Sequence, residues 1–178
     1  MNLKKPIAAA LVSVMLLTAC TAGSSSDADT TTNASASASA SANVNTPAAD
    51  VTPTEIVNAV LTEVPITSGL EKGMGDISDF YSDIDASQIE GASFVICASG
   101  AYPDEIAVMK CTDSSAAASV KASFEKRLAS QSELYSTYTP DEMYKLETAE
   151  VYTIGNYAIL LAVSDNDRAK EIVDSKLS

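Results

Sequence analysis

The apolar residues of this 178-residue chain are distributed in three different ways along its length. Residues 7–17 form a short apolar run interrupted only by Ser13, whereas residues 21–50 contain no large aliphatic side chain other than Val44. From residue 51 onward, apolar positions recur with the periods of helices and strands, separated by Gly, Pro and acidic residues. The pattern predicts one folded domain over residues 51–178, preceded by an export segment and a disordered tether.

Five stretches of the predicted domain carry helix signals. Residues 52–55, Thr-Pro-Thr-Glu, form a capping box with proline at the first helical position, and apolar residues at helical spacing continue from there to Pro65. Residues 139–142, Thr-Pro-Asp-Glu, repeat this signature. The remaining signals are the helical spacing over residues 77–84, a long stripe that begins after Asp113, and a final amphipathic stretch capped by Ser164 or Asp165.

Four segments carry strand signals: residues 93–98, 105–111, 149–154 and 157–163. The last two flank Gly155-Asn156, where glycine in the first central position favours a type II′ hairpin turn. The second and fourth strands, with their caps and helices, correspond when laid 52 residues apart. This indicates either a repeated strand–strand–helix unit or only the common order of strand, cap and helix.

Two such units predict the α+β class, as a two-layer sandwich. We expect a four-stranded, mostly antiparallel sheet with helices on one face, preceded by an N-terminal helix.

The N-terminus has the features of a bacterial lipoprotein signal. Lys4 and Lys5 precede the apolar run, which is too short for a stable transmembrane helix and ends in Leu17-Thr18-Ala19-Cys20. A cysteine directly after small residues resembles a lipobox; the alternative is an ordinary secretory signal followed by a chance cysteine. We predict a signal peptide over residues 1–19 and lipidation of Cys20, which would attach the protein to the outer face of the cytoplasmic membrane.

Residues 20–50 are predicted to be the lipidated cysteine and a disordered Ser/Ala/Thr-rich tether, because they cannot bury enough apolar area to offset chain entropy. A flexible coil of this length spans about 30 Å. Two interpretations are open: a spacer that lifts the domain off the membrane, or a neutral linker whose length is unimportant.

The composition excludes several function classes. The chain has no His, no Trp and only three Cys, which excludes histidine-dependent hydrolases, His-ligated metal enzymes and zinc fingers. After removal of Lys4 and Lys5 with the signal peptide, 9 basic and 24 acidic residues remain, a net charge of −15. Such a surface repels phosphate backbones, so nucleic acid is not an expected partner. Attachment to the membrane is expected only through the lipid at Cys20.

Two cysteines remain in the domain. If the turn of the first hairpin is centred near residue 101, Cys97 and Cys111 lie on the order of 20 Å apart at a rise of 3.3 Å per residue. A disulfide requires Cα atoms within about 7 Å. We therefore expect two unpaired, largely buried thiols.

No catalytic constellation is recognisable, and no catalytic residue, metal ligand or cofactor site is predicted. Asp104 and Glu105 begin a strand and are expected to point in opposite directions, one capping the loop and one facing solvent. The acidic run over residues 76–90 lacks the spacing of a calcium loop, which favours a solvated acidic face. If the surface has a recognition patch, Tyr135, Tyr138 and Tyr144 are the expected residues.

Several segments together resemble a known family. They are the lipobox, the tether, Pro-Asp-Glu-Ile-Ala-Val-Met-Lys at 103–110, Glu-Lys-Arg-Leu at 125–128 and Gly-Asn-Tyr at 155–157. With these motifs the chain resembles a family of uncharacterised clostridial lipoproteins with a domain of unknown function, over residues 53–178 and most densely over 103–165. The resemblance implies an outer-surface lipoprotein of a Gram-positive cell and brings no catalytic residues.

We therefore expect a lipid-anchored, non-catalytic accessory or binding module that contacts an envelope protein or a wall component. Two alternatives stay open. A small-ligand or solute-binding receptor usually needs two lobes, which a domain of this length does not supply. A carboxylate-dependent hydrolase would need an Asp or Glu inside a pocket with a raised pKa.

Overall fold

The computed structural model of the protein describes residues 51–178; the predicted signal peptide, Cys20 and the tether lie outside the described residues. The helices are α1 (Pro53–Glu63), α2 (Ile77–Phe80), α3 (Ser114–Tyr138), α4 (Met143–Glu147) and α5 (Asn166–Leu177). The strands are β1 (Gly69–Gly73), β2 (Ile89–Cys97), β3 (Glu105–Cys111), β4 (Glu150–Ile154) and β5 (Tyr157–Ala162). Short 3₁₀ turns cover Met74–Asp76, Ala86–Gln88 and Pro140–Glu142.

The five strands form one open antiparallel sheet in the order β1-β2-β3-β5-β4. The prediction of a mixed helix and antiparallel-sheet fold with an N-terminal helix is confirmed, but the predicted number of four strands is wrong. The missing strand is β1, with the sequence Gly-Leu-Glu-Lys-Gly. It pairs with β2 at the edge of the sheet and is largely exposed, so it shows no apolar alternation that sequence analysis could detect.

Helices cover both faces of the sheet, so the expectation of helices on one face is also wrong. Ile106 and Val108 of β3 pack with α1 and α5, whereas Ala107 and Met109 pack with α2, α3 and α4. The central strands β3 and β5 are therefore apolar at nearly every position, as expected for strands that are buried on both sides. This continuous apolar sequence was the signal for two helical layers.

The correspondence between the two strand–strand–helix units does not reflect symmetry in the structure. Residues Ile106 and Ala158 match when the sequences are laid 52 residues apart, but they lie on opposite faces of the sheet. The helices that follow, α3 and α5, also pack on opposite faces. The sequence similarity between the two units therefore reflects only the common order of strand, cap and helix.

Most of the predicted local signals are present. Thr52 and Glu55 form the predicted capping box, and Asp113 and Asp165 cap α3 and α5. In contrast, the predicted capping box at Thr139 is wrong, because its side chain makes no cap hydrogen bond and the first turn is 3₁₀.

The predicted β4–β5 turn is also present. Gly155 has φ 57° and no positive φ is found at Asn156, which agrees with the type II′ turn.

The strands give the domain two ends that matter for the site. The near end is where β3 finishes: there Tyr157 donates a 2.5 Å hydrogen bond to the carbonyl of Val51, the first described residue. The far end is where β3 begins, next to the β2–β3 loop over residues 98–104 and the C-terminal half of α3. The two ends of β3 are about 20 Å apart at 3.3 Å per residue. None of the helices within residues 51–178 combines the length and the hydrophobicity that a membrane span requires.

Both thiols of the described domain are unpaired, as predicted. Cys111 lies at the near end and is buried, as expected, whereas Cys97 lies at the far end and is only half-buried, so the expectation of a largely buried thiol is wrong for Cys97. Burial, together with the charges of Asp113 and Glu90, raises the pKa of Cys111 to about 11.

Candidate functional site at the far end of the sheet

The start of β3 places two adjacent carboxylates in the interior at the far end. Asp104 and Glu105 are 8% and 3% exposed, so the expectation that one of them faces solvent is wrong. Each is paired with a cation from a different helix, because a buried carboxylate without a partner is strongly disfavoured. The pairs join the sheet to α3 and α4.

Glu105 binds the guanidinium of Arg127 and the hydroxyl of Tyr81. Nε of Arg127 donates to both carboxylate oxygens at 2.7 and 2.8 Å, and Tyr81 donates to Oε1 at 2.5 Å. Nη1 of Arg127 donates to the carbonyl of Phe80 at 3.2 Å, and the guanidinium stacks over the Tyr81 ring at 5.1 Å. Burial lowers the pKa of Arg127, but its hydrogen bonds with Glu105 and the charge there outweigh burial and raise it. Burial and the same carboxylate raise the pKa of Tyr81 well above its usual value.

Asp104 binds Lys145 of α4 at 2.7 Å, and Lys145 also lies 2.7 Å from Glu142. Lys145 is nearly buried, and burial alone would lower its pKa, but the two carboxylates raise it. Its ammonium lies 5.4 Å from the ring centre of Tyr102 and 5.8 Å from that of Tyr144. A buried cation therefore holds two partly exposed tyrosine rings at the far end.

Two cavities meet at Arg127. A small one of about 160 Å³ lies under the β2–β3 loop and is lined by residues that include Cys97, Tyr102 and Asp104. A larger open groove of about 420 Å³ lies between α3 and the segment around Phe80 to Asp83. Arg127 and Gln131 line both.

The three tyrosines singled out from the sequence have different positions. Tyr138 and Tyr144 are 73% and 47% exposed. Tyr135 is buried, and its hydroxyl donates a 2.9 Å hydrogen bond to the carbonyl of Tyr102, so it supports the β2–β3 loop. Tyr102 itself is 42% exposed and was not among the expected residues.

The exposed large apolar side chains are concentrated at the far end. Among residues 51–178 they are Leu70, Met74, Tyr102, Leu134, Tyr138 and Tyr144. Leu70 lies opposite Ile96 at the far end of β2, and Leu134 and Tyr138 lie on the last turns of α3. Met74 directly follows Gly73, which pairs with Ser93 in the middle of β2. None of them lies at the near end.

Two residues that organise the site, Arg127 and Lys145, were missed as site residues in the sequence. Each is a charged residue within a helical segment, next to an apolar residue that packs against the sheet: Leu128 and Leu146, respectively. A cation at such a position indicates a buried anionic partner, but the sequence does not show which of many carboxylates it is. In the part of the chain that the structure describes, no group of three or more Cys, Asp and Glu is arranged to hold a metal ion.

Fold and site together define a small α+β domain with a charge-paired interior, an aromatic surface and an open groove at one end. The family model for DUF4358, a domain of unknown function, matches residues 67–164. The chain therefore belongs to the DUF4358 family, and the match includes all five strands, α2, α3, α4 and every site residue described above. This confirms the expectation of a domain of unknown function. No curated protein and no solved structure matched the chain.

Proposed function

We propose that this protein is a lipid-anchored, extracytoplasmic binding module of a Gram-positive cell envelope that is not itself an enzyme. It is attached to the outer face of the cytoplasmic membrane through Cys20 and contacts an envelope protein or a wall component with its far end. The lipobox and the Ser/Ala/Thr-rich segment support the anchoring. The resemblance of the motifs to clostridial lipoproteins supports the type of cell.

The concentration of exposed apolar side chains at the far end is the observation that carries the binding role. Tyrosines, which combine an apolar ring with a polar tip, are enriched at protein interfaces, and three exposed ones, Tyr102, Tyr138 and Tyr144, lie at this end. Two of these rings, Tyr102 and Tyr144, lie within cation–π distance of the buried Lys145, which favours their observed orientation and lowers the entropy they lose on binding.

The position of Val51 supports the same orientation. The chain enters the domain at the near end, where Tyr157 holds Val51, and the predicted tether precedes that point in the sequence. A domain attached at one end presents the opposite end to partners with the least steric obstruction. α3 adds to this, because its 25 residues extend about 37 Å at 1.5 Å per residue, further than β3.

The interior charges favour a binding module over a hydrolase. The carboxylates that line the two cavities are Asp83, Asp104 and Glu105, and each lies in an ion pair with Lys or Arg. A general acid must be free to donate its proton to a substrate, whereas Asp104 and Glu105 are buried in ion pairs that join the sheet to α4 and α3, and Asp83 lies in a surface pair with Lys126. The small-ligand receptor remains a second candidate because of the groove beside α3.

The test is recovery of the lipidated full-length protein from native membranes, with the co-purifying species identified and measured. The double variant Tyr102→Ser, Tyr144→Ser should lose a stoichiometric envelope partner that the unchanged protein retains. The control is Glu90→Gln with Thr112→Ala, two exposed residues at the near end, and it should retain the partner.

Cys20→Ser tests the anchor separately, since it should release the protein from the membrane without changing its fold. Retention of the partner by the tyrosine variant would contradict the binding role, and membrane retention of Cys20→Ser would contradict the lipid anchor.

A further inference from the structure

The groove beside α3 has the features of a ligand site. One wall is formed by Phe80 and the segment that follows it, and the other by α3 residues that recur every three to four positions from Ser123 to Leu134. Arg127 lies between these walls, with its side chain 22% exposed. The groove is therefore lined mostly by polar and charged side chains, with Phe80, Tyr81 and Leu134 as its apolar and aromatic members, so a polar ligand suits it better than an apolar one.

The guanidinium of Arg127 is only partly satisfied. Nε donates to Glu105 and Nη1 to the carbonyl of Phe80, but Nη2 has no hydrogen-bond partner within residues 51–178. The Tyr81 ring and Glu105 fix the orientation of the guanidinium, so these remaining donors are pre-organised rather than mobile. A partly buried cation that lines a groove and has unused donors suits an acceptor from a ligand.

The charges around the groove favour an anionic acceptor. Glu105 is nearly buried and already accepts from Arg127 and Tyr81, so its charge is largely compensated. Lys126 is 75% exposed and lies 3.5 Å from Asp83, a surface ion pair of small net energy. Its ammonium can turn toward a ligand at little cost. The two cations and two carboxylates sum to zero net charge, so this region is less acidic than the protein as a whole, and both cations keep donors that a ligand can use.

We propose that the groove binds the carboxyl-terminal end of a short peptide, with the terminal carboxylate on Nη2 of Arg127 and on Lys126. Ser130 and Gln131 offer further hydrogen-bond partners, and Leu134 and Phe80 offer apolar contact to a small side chain. Arg pairs strongly with carboxylates because its donors match the two oxygens. This deepens the proposed binding role by naming a ligand for the groove.

The ligand chemistry is tested with two matched probes, acetyl-Ala-Ala with a free carboxylate and the same compound as its carboxamide. Calorimetric titration of the full-length lipidated protein in detergent should show the acid binding about tenfold more tightly than the amide. Binding of the acid should weaken as salt is raised. Equal affinity for acid and amide, or binding of neither at millimolar concentration, would overturn the proposal.

The location is tested with variants that leave the buried Arg127–Glu105 pair intact. Ser130→Trp fills the groove and should abolish binding of the acid, and Lys126→Gln should weaken it roughly threefold. Ser136→Trp is the matched control: this serine is also exposed on α3 and bonds to a helix carbonyl, as Ser130 does, but it does not line the groove. If both tryptophan variants weaken binding equally, the ligand does not lie in the groove.

The ligand proposal and the partner proposal can fail separately. Tyr102→Ser with Tyr144→Ser should leave the affinity for acetyl-Ala-Ala unchanged, because neither tyrosine lines the groove. Loss of the envelope partner in that variant with normal peptide binding would support both proposals. A change in peptide affinity in that variant would contradict the assignment of the ligand to the groove.

Discussion

At the scale of single residues, the far end depends on a few buried charges whose partners are distant in sequence. Glu105 and Arg127 are 22 residues apart, and Asp104 and Lys145 are 41 apart. The sequence indicates that Glu105 begins a strand and that Arg127 belongs to a helix, but not that the two meet. Tyr135 shows the same limit: its position in a tyrosine-rich segment suggested surface recognition, and tertiary packing buried it instead.

The Glu105–Arg127 pair is expected to be essential for stability. Glu105→Ala leaves the partly buried guanidinium without its carboxylate and should lower the free energy of unfolding by about 3–5 kcal/mol. Urea unfolding followed by circular dichroism measures this loss. Asp83→Ala, which breaks only the surface pair with Lys126, should cost less than about 1 kcal/mol. Equal losses in the two variants would show that the buried pair has no special role.

The two free thiols should react at very different rates. The pKa of Cys111 is raised to about 11, so at neutral pH it is a protonated, buried thiol, whereas Cys97 is half-buried at the domain surface. Since the thiolate is the nucleophile, iodoacetamide should modify Cys97 first and leave Cys111 unmodified in the folded protein. Peptide mass spectrometry reads both sites, and comparable labelling of both without denaturant would be inconsistent with the structure.

At the scale of elements, sequence analysis predicted the strands, helix caps and turns that depend on residues close together in the chain. β3, the caps of α1, α3 and α5 and the Gly155 turn follow from short-range signals and are found as expected. β1 was missed because an exposed edge strand with glycine at both ends needs no apolar pattern. The side on which each helix packs depends on the connection between elements, and no single segment encodes it.

The two Thr-Pro-x-Glu sequences give a matched test of helix capping. Thr52 accepts a hydrogen bond from the amide of Glu55, so Thr52→Ala should cost about 1 kcal/mol of stability. Thr139 has the same sequence context but makes no cap hydrogen bond, and Thr139→Ala should cost less. Chemical unfolding of both variants decides the matter, and a larger loss at Thr139 would contradict the described cap geometry.

At the scale of the whole molecule, the domain has a near end that receives the chain at Val51 and a far end that carries the exposed aromatic residues and the groove. This polarity was not predictable from sequence, because it arises when the sheet brings the β2–β3 loop, α4 and the end of α3 together. The whole chain has a net charge of −13, and this excess of acidic residues favours solubility.

The folded domain should lose stability at alkaline pH. Burial raises the pKa of Cys111 from 9.0 to about 11 and raises that of Tyr81 well above 10.0. Each group contributes fully to the free energy of unfolding at pH values below its pKa in the unfolded chain. For Cys111, this contribution is lost as pH rises from 9.0 to about 11. Urea unfolding across that window should show decreasing stability, with a smaller decrease in Cys111→Ala. If the stability of Cys111→Ala falls as steeply with pH as that of the unchanged protein, the Cys111 thiol is not a cause of the alkaline loss of stability.

The central claim is that the far end of an anchored domain contacts an envelope component. Site-specific photo-crosslinking in living cells tests it most directly, with Tyr144→p-benzoylphenylalanine at the far end and Thr112→p-benzoylphenylalanine at the near end of the lipidated protein. We expect a discrete crosslinked species from position 144 that Tyr102→Ser removes, and none from position 112. The same species from both positions, or one from position 112 alone, would contradict the claim.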